Sequence, residues 1–255
     1  MNIEKSAIRK AQGDGAVLLR GALNVDLAVA LKRELLQGLA RADALSAFQR
    51  SRQWTPLLGE EFRSARSLLV NPWFRSFSES LLGRPVFGVM VDGYRSVGDA
   101  DLHADAECFD LVGVRFNWYV EPLAKQKGAL SLLLNSHHRE IHDRLRNDRS
   151  LLHLMRTETW DVAPGDVLAM DLRTWHFVEN DGSSRTFGST FYYAIPQTHS
   201  EEAAVRNSAA RNRRALKAFG RPNEELYPAA LLNNPALFPA EWSALLREYG
   251  FVDQA

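Results

Sequence analysis

The sequence predicts a central β unit of sandwich or barrel type flanked by helices on both sides. Three observations carry this. From Pro85 to Pro196 the chain is a series of short β-branched and aromatic segments separated by turn residues. Ahead of that stretch, apolar residues recur at helical spacing. Beyond Thr198 the helical pattern returns, and Pro222, Pro228, Pro235 and Pro239 break the tail into short pieces.

Taken in order, Ala16 to Leu19 is a short apolar run that reads as a strand. Asn24 and Asp26 are good capping types. Behind them Leu27, Val29, Ala30, Leu31, Leu35, Leu36 and Leu39 form one apolar stripe, which predicts a helix over Val25–Arg41. A second helix is expected over Phe74–Leu82, ending near Gly83. Strands are expected at Val86–Val91, Val112–Val120, Ala129–Leu134, Thr157–Val162, Val167–Asp171 and Thr186–Ile195. Asp92-Gly93, Pro122, Pro164-Gly165-Asp166 and Asn180-Asp181-Gly182 mark the turns between them. Glu140–Arg156 interrupts the strands as a helix or mobile insert. Helices over Glu201–Phe219 and Glu241–Tyr249, the latter stopped at Gly250, complete the chain.

The 255 residues carry 31 Lys+Arg against 31 Asp+Glu, which argues against binding nucleic acid through a general attraction to phosphate. With 45% hydrophobic and 24% charged residues, the length suffices for one domain with a sizeable core over residues 1–255. The one cysteine, Cys108, excludes an internal disulfide and a multi-cysteine metal centre, and is expected to be a small packed residue. The longest apolar runs, such as Gly128–Leu134, fall far short of the roughly 20 residues that span a bilayer, and Met1–Ala11 has no apolar signal core. A soluble, cytoplasmic protein with neither a membrane nor a nucleic-acid partner is expected. The oligomeric state is not legible.

The chemistry lies in the β unit. In His103-Ala104-Asp105 an imidazole and a carboxylate stand two positions apart, so an extended strand points both to one face. A third ligand has to come from elsewhere, and His176 sits just past Val167–Asp171. Two histidines and one carboxylate leave three positions of an octahedral ion open, the facial triad of non-haem Fe(II) oxygenases. Arg185 follows across the Asn180–Ser184 turn, where its guanidinium could hold a distal carboxylate through two parallel hydrogen bonds. A five-carbon keto-diacid, 2-oxoglutarate, meets both demands.

These pieces, in this order, resemble the phytanoyl-CoA dioxygenase (PhyH-like) family of Fe(II)/2-oxoglutarate-dependent oxygenases. Asp14–Leu23 resembles the family's opening strand and His103-Ala104-Asp105 its HxD. Gly128–His138 resembles its Gly-(Ala/Cys)-Leu strand and Gly-Ser-His turn, and Pro164–His176 its distal-histidine strand. The likeness spans roughly residues 12–196. It implies a double-stranded β-helix (jelly-roll, cupin-like) core at about 85–196 with N- and C-terminal helices packed on it, the latter over 199–255. It implies Fe(II) held by His103, Asp105 and His176, with 2-oxoglutarate anchored by Arg185 and touched by Asn117. It also implies O2 as oxidant, hydroxylating an unactivated C–H bond of a small-molecule metabolite while 2-oxoglutarate becomes succinate and CO2. Related halogenases carry a small residue at the position of Asp105, so the carboxylate implies hydroxylation, or desaturation or cyclisation of the same type.

Two departures stand out. Leu134-Asn135 replaces the family's Pro-Gly, and Val178 stands where relatives often have a hydroxyl, a role left to Ser189 or Thr190. Glu107 competes with Asp105 as carboxylate ligand. His137 and His138 read as structural or exposed, His199 as solvent-facing, and Trp175 as core on the face opposite His176. The basic stretch Arg206–Arg221 reads as a solvated helix face, a lid recruiting an anionic substrate, or a subunit contact. Two other functions stay open: a catalytically silent jelly-roll binding protein, and a cupin-like metal enzyme that uses no 2-oxoglutarate.

Overall fold

The computed structural model describes residues 5–45, 52–125, 127–218 and 226–252. In chain order the elements are α1 (Lys5–Asp14), β1 (Ala16–Leu19), α2 (Val25–Leu45), β2 (Arg52–Pro56), α3 (Arg63–Leu69), α4 (Pro72–Leu82), β3 (Val86–Val97), β4 (Ala100–His103), β5 (Gly113–Tyr119) and β6 (Ser131–Leu133). There follow α5 (Arg139–Asn147), a 3-10 turn (Arg149–Leu154), β7 (Thr157–Thr159), β8 (Val167–Asp171), β9 (His176–Val178), β10 (Ser184–Ala194), α6 (His199–Ala218), α7 (Ala229–Leu232) and α8 (Ala240–Glu248).

The strands form two antiparallel sheets, one ordered β1-β8-β5-β10-β3-β2 and the other β4-β9-β6-β7. The chain crosses between the sheets at β3–β4, β4–β5, β5–β6, β7–β8, β8–β9 and β9–β10, and the fold is a double-stranded β-helix with flanking helices. The large sheet presents Phe116 outward, where its ring lies 4.7 Å from Phe74 and 5.7 Å from Phe77 of α4. Leu31 and Leu35 of α2 and Trp242 of α8 belong to the same buried cluster. The main core therefore lies between the large sheet and the helices, and the inner faces of the sheets are left to enclose a cavity. Asn71 caps α4 by accepting from the Trp73 amide, with Pro72 in the first turn, where its missing N–H costs nothing.

The predicted turn at Asp92-Gly93 is corrected, because β3 runs straight through it. Asp92 is buried, and its Oδ2 accepts from Trp54 Nε1 (2.9 Å) and the Tyr94 hydroxyl (2.7 Å). Gly93 lies under α2, and a Cβ there would meet Leu35 Cδ1 at 2.1 Å. The glycine serves close approach of a helix, not chain reversal. Glu140–Arg156 proves to be α5 and the 3-10 turn. Asn135 takes a positive φ of 65°, a conformation that asparagine tolerates better than most residues. The α1, β2 and α3 elements had no expected counterpart. Phe48–Ser51, Phe219 and Arg221 lie outside the described residues. Among the described residues no helix is long and apolar enough to cross a membrane.

Candidate active site

β4 and β9 pair in the small sheet with His103 opposite His176, their ring centroids 4.3 Å apart. The expected extended strand through Asp105 ends at His103, and Asp105 sits in the loop beyond it. Its carboxylate is nevertheless brought back to the histidines. His103, Asp105 and His176 each offer one ligand atom, all within 4.8 Å of one another. They are the one such group among the described residues. His176 opens β9 after a turn that follows β8, so it belongs to the small sheet although the run before it lies in the large one.

The histidine tautomers follow from their neighbours. His103 Nδ1 lies 2.7 Å from the Asp101 carbonyl and His176 Nδ1 lies 2.9 Å from the Thr174 carbonyl. A carbonyl only accepts, so each Nδ1 carries a proton, and Nε2 is the nitrogen left to ligate a metal. Burial pushes the His176 imidazole down to about 4, which keeps it neutral. For Asp105, burial alone would raise the pKa. The Arg115 guanidinium, then His176 and His103, outweigh burial and hold the carboxyl well below the usual range. Two neutral imidazole nitrogens and one carboxylate oxygen are a donor set compatible with iron or another divalent first-row ion, with three octahedral positions left open.

A cavity of about 530 Å³ opens in front of the histidines, and its wall includes Arg115, Asn117, Arg185 and Phe187. Asn117 and Arg185 both line this cavity. Arg185 lies at the start of β10 and its stem passes Gly128, where a Cβ would come within 2.9 Å of Arg185 Cδ. Its Nη1 donates to the Gly98 carbonyl, and no carboxylate among the described residues lies within ion-pair distance. Burial, and next the charge of Arg52, lower its pKa. Arg185 is a buried cation facing the cavity with no ion-pair partner among the described residues; Asp99, on the same wall, acts on it from farther off.

Arg115 is the residue that sequence reasoning missed. It lies on β5, 8% exposed, and its Nη1 donates to both oxygens of Asp105 (3.1 and 3.0 Å). Its Nε and Nη2 donate to Ser189 Oγ (3.1 and 2.9 Å), and Ser189 Oγ donates to Asn117 Oδ1 (2.8 Å). A signal existed: in Val114–Tyr119 the polar residues Arg115, Asn117 and Tyr119 alternate with apolar ones, a strand with one polar inner face.

Of the two hydroxyls expected to assist Arg185, Ser189 is engaged by Arg115 and Asn117. Thr190, next along β10, points to the other face, where its Oγ1 is buried without a partner. Glu107 forms an ion pair with Arg211 of α6 at 3.2 Å, turned to solvent. Arg211 also donates to the Asp105 carbonyl (3.2 Å), and Arg206 pairs with Glu202 (2.8 Å). The basic helix thus braces the HxD loop, and none of its described residues lines the cavity. Trp175 packs with Leu102, Leu133 and Leu145 on the far side of the small sheet. His137 is buried with Nε2 on the Gln12 carbonyl (3.0 Å), whereas His138 and His199 are exposed. Cys108 packs against the main core.

No protein-family model matches the chain, and no curated protein matches it. Solved structures do. The non-heme α-ketoglutarate-dependent carbocyclase SnoK from nogalamycin biosynthesis superposes with a TM-score of 0.66 at 19% identity, over 76% of this chain and 85% of that one. EctD from S. alaskensis, with 2-oxoglutarate and 5-hydroxyectoine, gives 0.62 at 16% identity over 76% and 77%. HygX from Streptomyces hygroscopicus, with nickel, 2-oxoglutarate and hygromycin B bound, gives 0.55 at 12% identity over 76% and 88%. At these identities the likeness is one of fold.

Proposed function

We propose that the protein is an Fe(II)- and 2-oxoglutarate-dependent oxygenase of the PhyH-like kind, the whole chain acting as one domain, that hydroxylates an unactivated C–H bond of a small-molecule metabolite. The observation that carries this reading is the meeting of His103, Asp105 and His176, each imidazole with Nδ1 on a carbonyl, beside a buried Arg185 that has no ion-pair partner among the described residues. A catalytically silent binder would have no need of either feature. A metal enzyme that dispenses with a keto acid would leave Arg185 unexplained.

In this reading His103 Nε2, His176 Nε2 and one oxygen of Asp105 hold the metal. Arg185 receives the far carboxylate of 2-oxoglutarate, and Asn117, its Oδ1 accepting from Ser189 and its Nδ2 on Met170 Sδ at 3.9 Å, lines the cavity beside it. When bound, iron and 2-oxoglutarate together supply oxidation of a C–H bond by O2, with succinate and CO2 as co-products. Phe187 stacks on Tyr94, with ring centroids 5.3 Å apart, and this pair walls the cavity against water. The proximity of SnoK, a carbocyclase, favours cyclisation as the second reading of the same site.

Succinate formation with Fe(II), 2-oxoglutarate and a metabolite panel tests the proposal. The wild type is expected to release succinate and His176→Ala to release none. Equal turnover by both, or none by either with any candidate, contradicts it.

A further inference from the structure

We infer that Arg115 competes with the metal for Asp105 and keeps that carboxylate a one-oxygen ligand, a role that rests on the metal site proposed above. A single nitrogen, Nη1, straddles both oxygens at 3.1 and 3.0 Å, so both lie within its reach. The guanidinium cannot step aside. Its Nε and Nη2 are fixed on Ser189 Oγ, and its Cζ lies over the rings of Phe191, Tyr94 and Phe187, 5.2, 5.6 and 5.8 Å from their centroids. Ser189 Oγ, accepting from Arg115, spends its own proton on Asn117 Oδ1, which closes the network against rotation. Nor can the guanidinium lose its charge by deprotonation.

An ion arriving at His103 and His176 therefore finds a carboxylate already shared with a fixed cation. Metal and guanidinium divide the two oxygens, one each. Two consequences follow. Asp105 is denied two-oxygen chelation, which would fill a fourth coordination position, so three positions stay open to a chelating co-substrate and an oxidant. The like charge of Arg115 also weakens the bare affinity of the site for a divalent ion. Arg115 is a positioning residue, and its removal has an unusual sign. A structural brace, once lost, would loosen the metal. A competitor, once lost, tightens it.

Co(II) titration of the full-length protein, followed by calorimetry and by the visible ligand-field spectrum, tests this. Arg115→Met is expected to bind Co(II) more tightly than the wild type by about tenfold, the low end of what outer-shell contacts contribute to metal affinity. Its spectrum should also change, reporting an added ligand atom. Arg115→Lys, which keeps the cation, is expected to restore the wild-type spectrum. Ser189→Ala, which frees the guanidinium to swing, should shift affinity in the same direction by a smaller factor. Circular dichroism checks that each variant folds. If Arg115→Met does not fold, Ser189→Ala and Arg115→Lys decide. Unchanged or weaker binding with a wild-type spectrum in the folded variants overturns the inference. His176→Ala separates the two levels. If it binds Co(II) as the wild type does, the metal site itself fails. If it does not bind and Arg115→Met equals the wild type, only the role of Arg115 fails.

Discussion

The two sheets of the double-stranded β-helix differ in length and in what they carry. In the large sheet β3 and β10 run for 12 and 11 residues, most of them buried. In the small sheet no strand exceeds four residues. The large sheet is a framework, filled on its outer face by helices and carrying Arg115, Asn117 and Arg185 on its inner one. The small sheet presents both imidazoles, aimed by single carbonyl acceptors at Asp101 and Thr174. Stability and metal binding are therefore assigned largely to different sheets.

The comparison breaks most visibly at the ligands. His176→Ala should lower divalent-metal affinity by more than about a hundredfold, since a lost ligand outweighs the effects of outer-shell partners. The urea midpoint of the metal-free protein should move little, because His176 stands on the cavity face of the small sheet, away from the Leu102, Leu133, Leu145 and Trp175 cluster on its other face. A parallel collapse of stability would show that the sheets are not separable. Arg185→Met, on the framework's inner face, should weaken 2-oxoglutarate binding by about thirtyfold or more, as for truncation of one partner of a buried charge pair. Calorimetry on the Ni(II) form reads this, and metal affinity alone should be unchanged.

Gly93→Val attacks the framework without touching the site. A Cβ would stand 2.1 Å from Leu35 Cδ1, and overpacking of this kind costs about 1–3 kcal/mol, read in urea unfolding. Metal affinity should be retained.

The pH dependence sharpens the comparison, because Asp92 on the large sheet and His176 on the small one are shifted in opposite directions. Burial raises Asp92 from 3.8 to about 6, so between these values the folded chain keeps a proton that the unfolded chain has released. Its contribution to stability therefore falls as pH rises. Burial lowers His176 from 6.5 to about 4, so between these values the unfolded chain holds the extra proton, and this contribution rises with pH. In the metal-free wild type the two oppose. Asp92→Asn removes the falling one, and its stability should climb more steeply between about pH 4.5 and 6, by at most about 1.4 kcal/mol per pH unit. Urea midpoints across that range check this, and equal slopes would contradict it. The smallest effect is expected at Ser136, whose Oγ donates to the Leu133 carbonyl (2.6 Å) and accepts from the Trp175 amide (2.8 Å) beside His176. Ser136→Ala should cost about 1 kcal/mol.

The same division explains what was legible in the sequence. Long strands and amphipathic helices announce themselves by periodicity, and β5, β8, β10, α2 and α6 lie close to where patterning puts them. His103, Asp105, His176 and Arg185 were picked out by spacing and Asn117 by the family resemblance; the first three come within ligand reach of one another, and His103, His176, Asn117 and Arg185 line one cavity. Asp92-Gly93 misled because a turn and a close helix approach select the same dipeptide, and only the position of Leu35 distinguishes them. β9 is three residues long, too short for any period to emerge. The short elements β2 and α3, ordered by contact with β3 and α2, give no periodic signal of their own. Arg115 was overlooked because a lone arginine in a strand has no motif. Its meaning comes from Asp105, in another loop, and Ser189, on a neighbouring strand.

The central claim is that one metal ion is shared by His103, Asp105 and His176. Crystals soaked with Co(II) and 2-oxoglutarate, and measured at the cobalt absorption edge, test it most directly. The account predicts a single strong anomalous peak bonded to both Nε2 atoms and one oxygen of Asp105, with the keto acid extending to Arg185. A peak elsewhere, or none at this triad, would contradict it.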